Sequence, residues 1–197
     1  MSRANRWTGS AWQLLPGVKQ WNGAANVLRQ MKRWTGSAWE VVAGSFSPVT
    51  HTYTSGSGSE PVPAGASSVT ITVDGGGGGA SVGTAGGAGG RAIRTIAIAS
   101  SDWGASLSYV VGAGGSGSSS SSSTSGGLST VDMTLAAGTF HMAGNGGLAA
   151  SLGGGNGAAS GGTTNTTGGA ANGGQPSGTP GIPGDNGGHG TVQFAWT

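Results

Sequence analysis

Three observations predict an all-β fold for this 197-residue chain. Apolar and polar residues alternate in short segments such as Val69-Thr70-Ile71-Thr72-Val73 and Val192-Gln193-Phe194-Ala195-Trp196, the period of a strand with one buried face. No stretch carries sustained helical spacing with caps. The apolar segments are separated by glycine-rich tracts, with 45 Gly against eight Lys and Arg and six Asp and Glu. An ordinary domain is about 7 % Gly and about a quarter charged. Disorder usually accompanies high net charge and few aromatics, whereas this chain has a formal charge of +2 and seven Trp. The composition therefore reads as an ordered protein that builds with glycine.

The first element is a repeat. Arg6-Trp7-Thr8-Gly9-Ser10-Ala11-Trp12 returns as Arg33-Trp34-Thr35-Gly36-Ser37-Ala38-Trp39, with a looser copy, Gln20-Trp21-Asn22-Gly23-Ala24-Ala25-Asn26, between them. Asn-Gly is a strong two-residue hairpin signal because both residues tolerate positive φ. Each unit is predicted to be a strand, a tight turn and a second strand, with Trp7, Trp12, Trp21, Trp34 and Trp39 as assembly residues. A WW-type module fails on the repeat and on the lack of a proline near the second Trp. Residues 1–42 carry six basic side chains against Glu40. These are scattered among the Trp and form no sustained cluster, which favours docking to protein over nucleic acid. Burial of five Trp and a few aliphatic side chains does not offset the chain entropy of so short a segment. A partner chain or a symmetry mate is expected.

Residues 43–197 form the second predicted domain, with strands at 50–54, 68–73, 92–99, 107–111, 128–135, 138–142 and 191–196. Pro63-Ala64-Gly65-Ala66 supplies a turn before the second of them. The tracts 75–90, 112–127, 144–161 and 168–190 lie between. Gly/Ser composition by itself reads as flexible linker, and the serine run 118–123 fits that reading. Gly178, Gly181, Gly184, Gly187 and Gly190 instead keep a strict period of three. That spacing marks a polyproline II-type helix, which has three residues per turn and places Gly at a crowded contact. Such helices lack internal hydrogen bonds, so neighbours must satisfy one another's N–H and C=O groups. Glycine-rich loops and packed polyglycine helices are the two forms these tracts can take.

Signals for chemistry are weak. The chain has no Cys, which excludes disulfides and Cys-based zinc sites. The start lacks the apolar stretch of a secretory signal, and no apolar run has the length of a membrane span. Residues 112–117 match GxGxxG, but serine follows where a dinucleotide site needs a helix N-terminus. His51, His141 and His189 are isolated in sequence. Asp74, Asp102, Asp132, Asp185, Glu40 and Glu60 offer no sequence-adjacent pair for glycoside hydrolysis. Trp103 and Tyr109 would stack on a sugar if exposed, but aromatics in strands are more often core. No catalytic, cofactor-binding or metal-binding residue is assigned.

In its Trp units, in the strand 69–73 running into 75–79, in LSYVVGAGG at 107–115 and in GGHGTVQFAWT at 187–197, the chain resembles the glycine-rich minor tail and tail-fibre tip proteins of tailed bacteriophages, especially those infecting actinobacteria. The resemblance implies a β-sandwich with glycine-rich loops or helices at one end, often a homotrimer, at the host-facing tip. A virion component leaves by lysis and needs no export signal. The function expected is a structural virion protein of the tail contributing to host attachment, not an enzyme and without a cofactor. Its expected partners are other tail proteins and a host glycan or lipid, with no membrane insertion. A purely architectural tail component and an envelope polysaccharide depolymerase are the alternatives.

Overall fold

The computed structural model describes residues 46–120, 122–170, 172–173 and 184–197, together with backbone segments within residues 6–43. Those segments are three antiparallel hairpins: β1 (Arg6–Trp7) with β2 (Trp12–Gln13), β3 (Lys19–Trp21) with β4 (Asn26–Leu28), and β5 (Met31–Trp34) with β6 (Trp39–Ala43). Trp7 pairs with Trp12 and Trp34 with Trp39, while Trp21 pairs with Asn26. The register thus leaves four residues between paired positions in every unit. The reversal expected at Asn22-Gly23 lies outside the described residues. The innermost pairs have the same spacing in all three copies and in two of them set Trp opposite Trp, while β5 and β6 shift register between Met31 and Lys32.

The remaining strands form two five-stranded antiparallel sheets. The first contains β7 (Val49–Tyr53), β9 (Ser68–Asp74), β10 (Arg91–Ala97), β15 (Thr164–Thr166) and β16 (Thr191–Trp196), in the order β15-β10-β9-β16-β7. The second contains β8 (Ser57–Pro61), β11 (Ser106–Val110), β12 (Ser129–Leu135), β13 (Gly138–Gly144) and β14 (Ala159–Ser160), in the order β14-β13-β12-β11-β8. Alternation directs Val69, Ile71, Val73, Val192, Phe194 and Trp196 inward from the first sheet. They share one buried core with Leu107, Val131, Met133, Leu135 and Met142 of the second. The turn at 63–66 forms, with Ala66 N donating to Pro63 O at 3.2 Å and Gly65 at φ +94°. Trp103 and Tyr109 pack against the core.

The glycine tracts leave the sandwich at one end and pack as a polyglycine bundle around residues 75–80. Hydrogen-bond direction along this central segment repeats every three residues. Gly75 and Gly78 donate to Gly90 and Gly87, Gly76 and Gly79 to Gly127 and Thr124, and Gly77 and Ala80 to Gly188 and Asp185. In return Gly147 and Ala150 donate to the carbonyls of Gly76 and Gly79, and Gly115 and Ser118 to those of Gly77 and Ala80. Asn172 Nδ2 donates to Gly75 O at 2.9 Å. The central helix is therefore enclosed on all sides, and residues 74–80 are buried without a break. A Cβ on Gly75, Gly76, Gly77, Gly78 or Gly79 would overlap a carbonyl of Asn145, Ala113, Asn172, Leu148 or Ser116 respectively. These five backbone positions lie on three surrounding segments, Ala113 and Ser116 on one, Asn145 and Leu148 on the second and Asn172 on the third. The peripheral segment 184–190 buries only one residue in three. Gly184, Gly187 and Gly190 are buried while the residues between them are exposed.

Candidate functional site

The bundle ends in a pole of short loops. Residues 81–84 reverse the chain through Ser81 and Thr84, whose backbones pair at 3.0 and 3.4 Å, with Gly83 at φ +73°. The described residues Ser118 and Ser123 of the serine tract are hydrogen-bonded to neighbouring segments. Ser118 N donates to Ala80 O, and Ser123, which is buried, accepts from Ser151 N and Ser151 Oγ at 3.2 Å each. The third loop contains a 3-10 turn, Ala150–Leu152, closed by Gly153 in the left-handed region. It presents Leu152, which is 66 % exposed. Asp185 is the only charged side chain among the described residues of this pole. At the opposite end of the sandwich Val49 pairs with Trp196 and Ser68 N bonds to Thr197 O. The chain thus enters the sandwich at the end remote from the loops.

A concavity of about 540 Å³ lies on the outer face of the first sheet where it meets the bundle. Thr52, Gln193, Thr72 and Ile93 form one cross-strand row of its lining. Thr191, Asp74 and Arg91 form the next outward row. Arg91 Nε and Nη2 donate to the two oxygens of Asp74 at 2.7 and 2.8 Å, and Thr191 Oγ1 donates to Asp74 Oδ2 at 2.9 Å. The Asp74 carboxylate holds the guanidinium more firmly charged than usual. Ala170, Asn172 and His189 complete the lining.

Two charged side chains close the open edges of the sandwich. Glu60, 1 % exposed, points inward from β8 and bridges to the other sheet. Its carboxylate accepts from His51 Nδ1 at 2.8 Å, Tyr53 OH at 2.6 Å and Trp196 Nε1 at 2.9 Å. The hydrogen bond to Glu60, with burial adding to it, pushes the Tyr53 hydroxyl up to about 12. Tyr53 also stacks on Tyr109 at 4.1 Å. At the other edge Arg94 lies over the Phe140 ring, 4.1 Å from its centroid, and donates to Gly161 O at 3.0 Å.

Two of the three histidines that are isolated in sequence meet a carboxylate in space. His51 meets Glu60, and His141 Nδ1 lies 2.6 Å from Asp132 Oδ1 on the exposed face of the second sheet. Ser108 faces Asp132 in the same row, but its hydroxyl donates to the Asp132 backbone carbonyl. The order Ser-Asp-His puts the carboxylate where a nucleophilic triad needs the imidazole. Asp102 accepts from Ala99 N at 3.0 Å and Ala136 N at 2.7 Å, and so fastens a turn to a hairpin.

Of the glycines singled out by their period, Gly184, Gly187 and Gly190 line one peripheral helix, where an added Cβ would press on Ala80, Gly77 and Asp74. Gly178 and Gly181 lie outside the described residues, as do the side chains of Trp7, Trp12, Trp21, Trp34 and Trp39. Residues 112–117, the GxGxxG match, belong to the bundle. Sequence reasoning missed the outer groove and the Glu60 cluster. The alternating polar positions of β9 and β16 carry a signal for the groove. Glu60 sits in Ser57–Pro61, which has no apolar pattern. The sequence matches no protein-family model and no curated protein. No helix among the described residues is long and apolar enough to cross a membrane.

Proposed function

We propose that this chain is a structural protein of a tailed-phage tail tip or fibre that contributes to attachment to the host surface. The observation that supports it is the two-ended build. The chain enters at the Val49–Trp196 end, and a rigid bundle carries, among the described residues, three loops at the other. Binding residues commonly sit on loops positioned by a rigid scaffold. The Trp hairpins serve as the docking arm toward other tail proteins and further copies of the chain, as a homotrimer. The low charge of the loop pole suits a neutral glycan or a lipid surface better than a polyanion.

The test uses antibodies against the purified full chain, applied to particles from the phage that encodes it. Immunogold labelling is expected at the tail tip, and saturating antibody is expected to block adsorption. The variant Leu152→Asp, at a side chain that is already exposed, is expected to lower adsorption at least tenfold with an unchanged melting temperature. Tail labelling with undiminished adsorption would identify an architectural component instead. Release of reducing sugars from host envelope by the purified chain would identify a depolymerase.

A further inference from the structure

We infer that the groove on the outer face of the first sheet is a binding site for a neutral saccharide, separate from the loop pole. Its volume, about 540 Å³, falls within the ordinary range for small-molecule sites, roughly 300–1,000 Å³. Its charge is internally cancelled. The bidentate Arg91–Asp74 pair contributes a fixed polar wall, but no net field for a polyanion. Arg91 spends Nε and one Nη on Asp74, and its side chain is 39 % exposed. Its other Nη makes no hydrogen bond among the described residues, leaving a donor on that wall.

The floor alternates hydrogen-bonding groups with one apolar patch. Gln193 Nε2 donates to Thr52 Oγ1 at 3.1 Å, which fixes the amide. Thr72 and Gln193 are neighbours in the same row, and Ile93 ends it. A sugar ring has hydroxyls around its rim and C–H groups on its faces. It matches a floor where threonine and glutamine lie beside isoleucine, under an Arg wall and a His189 rim. An acyl chain would leave those polar groups unpaired, at a cost comparable to lost hydrogen bonds. The supporting geometry is rigid: the floor spans four hydrogen-bonded strands, β10, β9, β16 and β7, and Asn172 in the wall bonds to Gly75 O, Gly188 O and His189 O.

Saturation-transfer NMR on the full chain tests this with glucose, galactose, mannose, rhamnose, N-acetylglucosamine and the acidic sugar N-acetylneuraminic acid as probes. At least one neutral sugar is expected to receive saturation. Thr72→Trp fills the groove from an exposed face, and Gln193→Ala removes the amide without adding bulk. Each is expected to weaken that binding at least tenfold, while Leu152→Asp at the loop pole leaves it unchanged. Absence of transfer to every neutral sugar, or transfer confined to the acidic sugar, overturns the assignment. So does loss of binding in Leu152→Asp with retention in Gln193→Ala, which would move the site to the loops. Because the groove variants leave the loops untouched, adsorption through the loop pole and sugar binding in the groove are scored separately.

Discussion

At Glu60 three donors from two strands of the opposite sheet converge on one buried carboxylate. Burying a charge is costly unless its oxygens are hydrogen-bonded, and here each oxygen is. The cluster defines the pairing of β7 and β8 across the sandwich edge, because a slip of one residue would turn Glu60 to solvent and leave the Trp196 indole unpaired. It also gives the protein an alkaline sensitivity. The Tyr53 proton is held to about 12 in the folded state against an ordinary 10.0. Its contribution is complete below the ordinary value and is lost as pH rises from about 10 to about 12. Melting temperature is expected to fall across that window in the native chain, and the fall is expected to shrink in Tyr53→Phe. An equal fall in both would place the sensitivity elsewhere. Trp196 was legible in the sequence as an inward position of an alternating strand. Glu60 was not, since nothing in Ser-Gly-Ser-Glu-Pro distinguishes a buried acid from one in a solvated loop.

The polyglycine bundle shows why two different glycine patterns occur in one chain. A helix at the rim touches neighbours on one side and needs glycine once per turn, as at Gly184, Gly187 and Gly190. The helix at the centre is surrounded, and Gly75, Gly76, Gly77, Gly78 and Gly79 all meet backbone. The triplet period was legible because it is a pattern. The run of five glycines was readable only as linker or helix until its neighbours were known. Gly77→Ala forces the central helix off Asn172 and is expected to cost roughly 3 kcal/mol, the upper part of the usual range for overpacking. Ala85→Ser, at an exposed position of the same bundle, is expected to be near neutral. Denaturant unfolding of both variants checks this, and equal stabilities would contradict the enclosed packing. Side chains patch the lattice where backbone partners are absent: Asn156 Oδ1 accepts from Ala88 N and Asn186 Oδ1 from Gly117 N. Asparagine in these tracts is therefore structural, which composition could not reveal.

For the molecule as a whole, sandwich and bundle are one hydrogen-bonded body. Each tract continues a strand, and Ser129 Oγ, buried beneath the junction, accepts from Gly112 N at 2.9 Å. Residues 46–197 are expected to unfold in one transition, with amides of 75–80 as slow to exchange as those of β9. A separate, earlier loss of protection in the bundle would show the two to be uncoupled. Seven of the ten sandwich strands were legible from alternation. The missed ones, β8, β14 and β15, lie at sheet edges and are short or lack apolar residues. They owe their conformation to the strand beside them and to no propensity of their own. The outer groove was illegible for a related reason, because it combines side chains far apart in the chain.

The threefold screw of the bundle limits how such a molecule can change length. Each residue advances a polyproline II helix by about 3.1 Å and rotates it by a third of a turn. One added glycine would point every later N–H of its segment at the wrong neighbour. Three added residues restore the pointing and lift the segment by about 9 Å. Growth of the stalk is thus quantised in triplets, and insertions of other sizes are confined to the loops at its end.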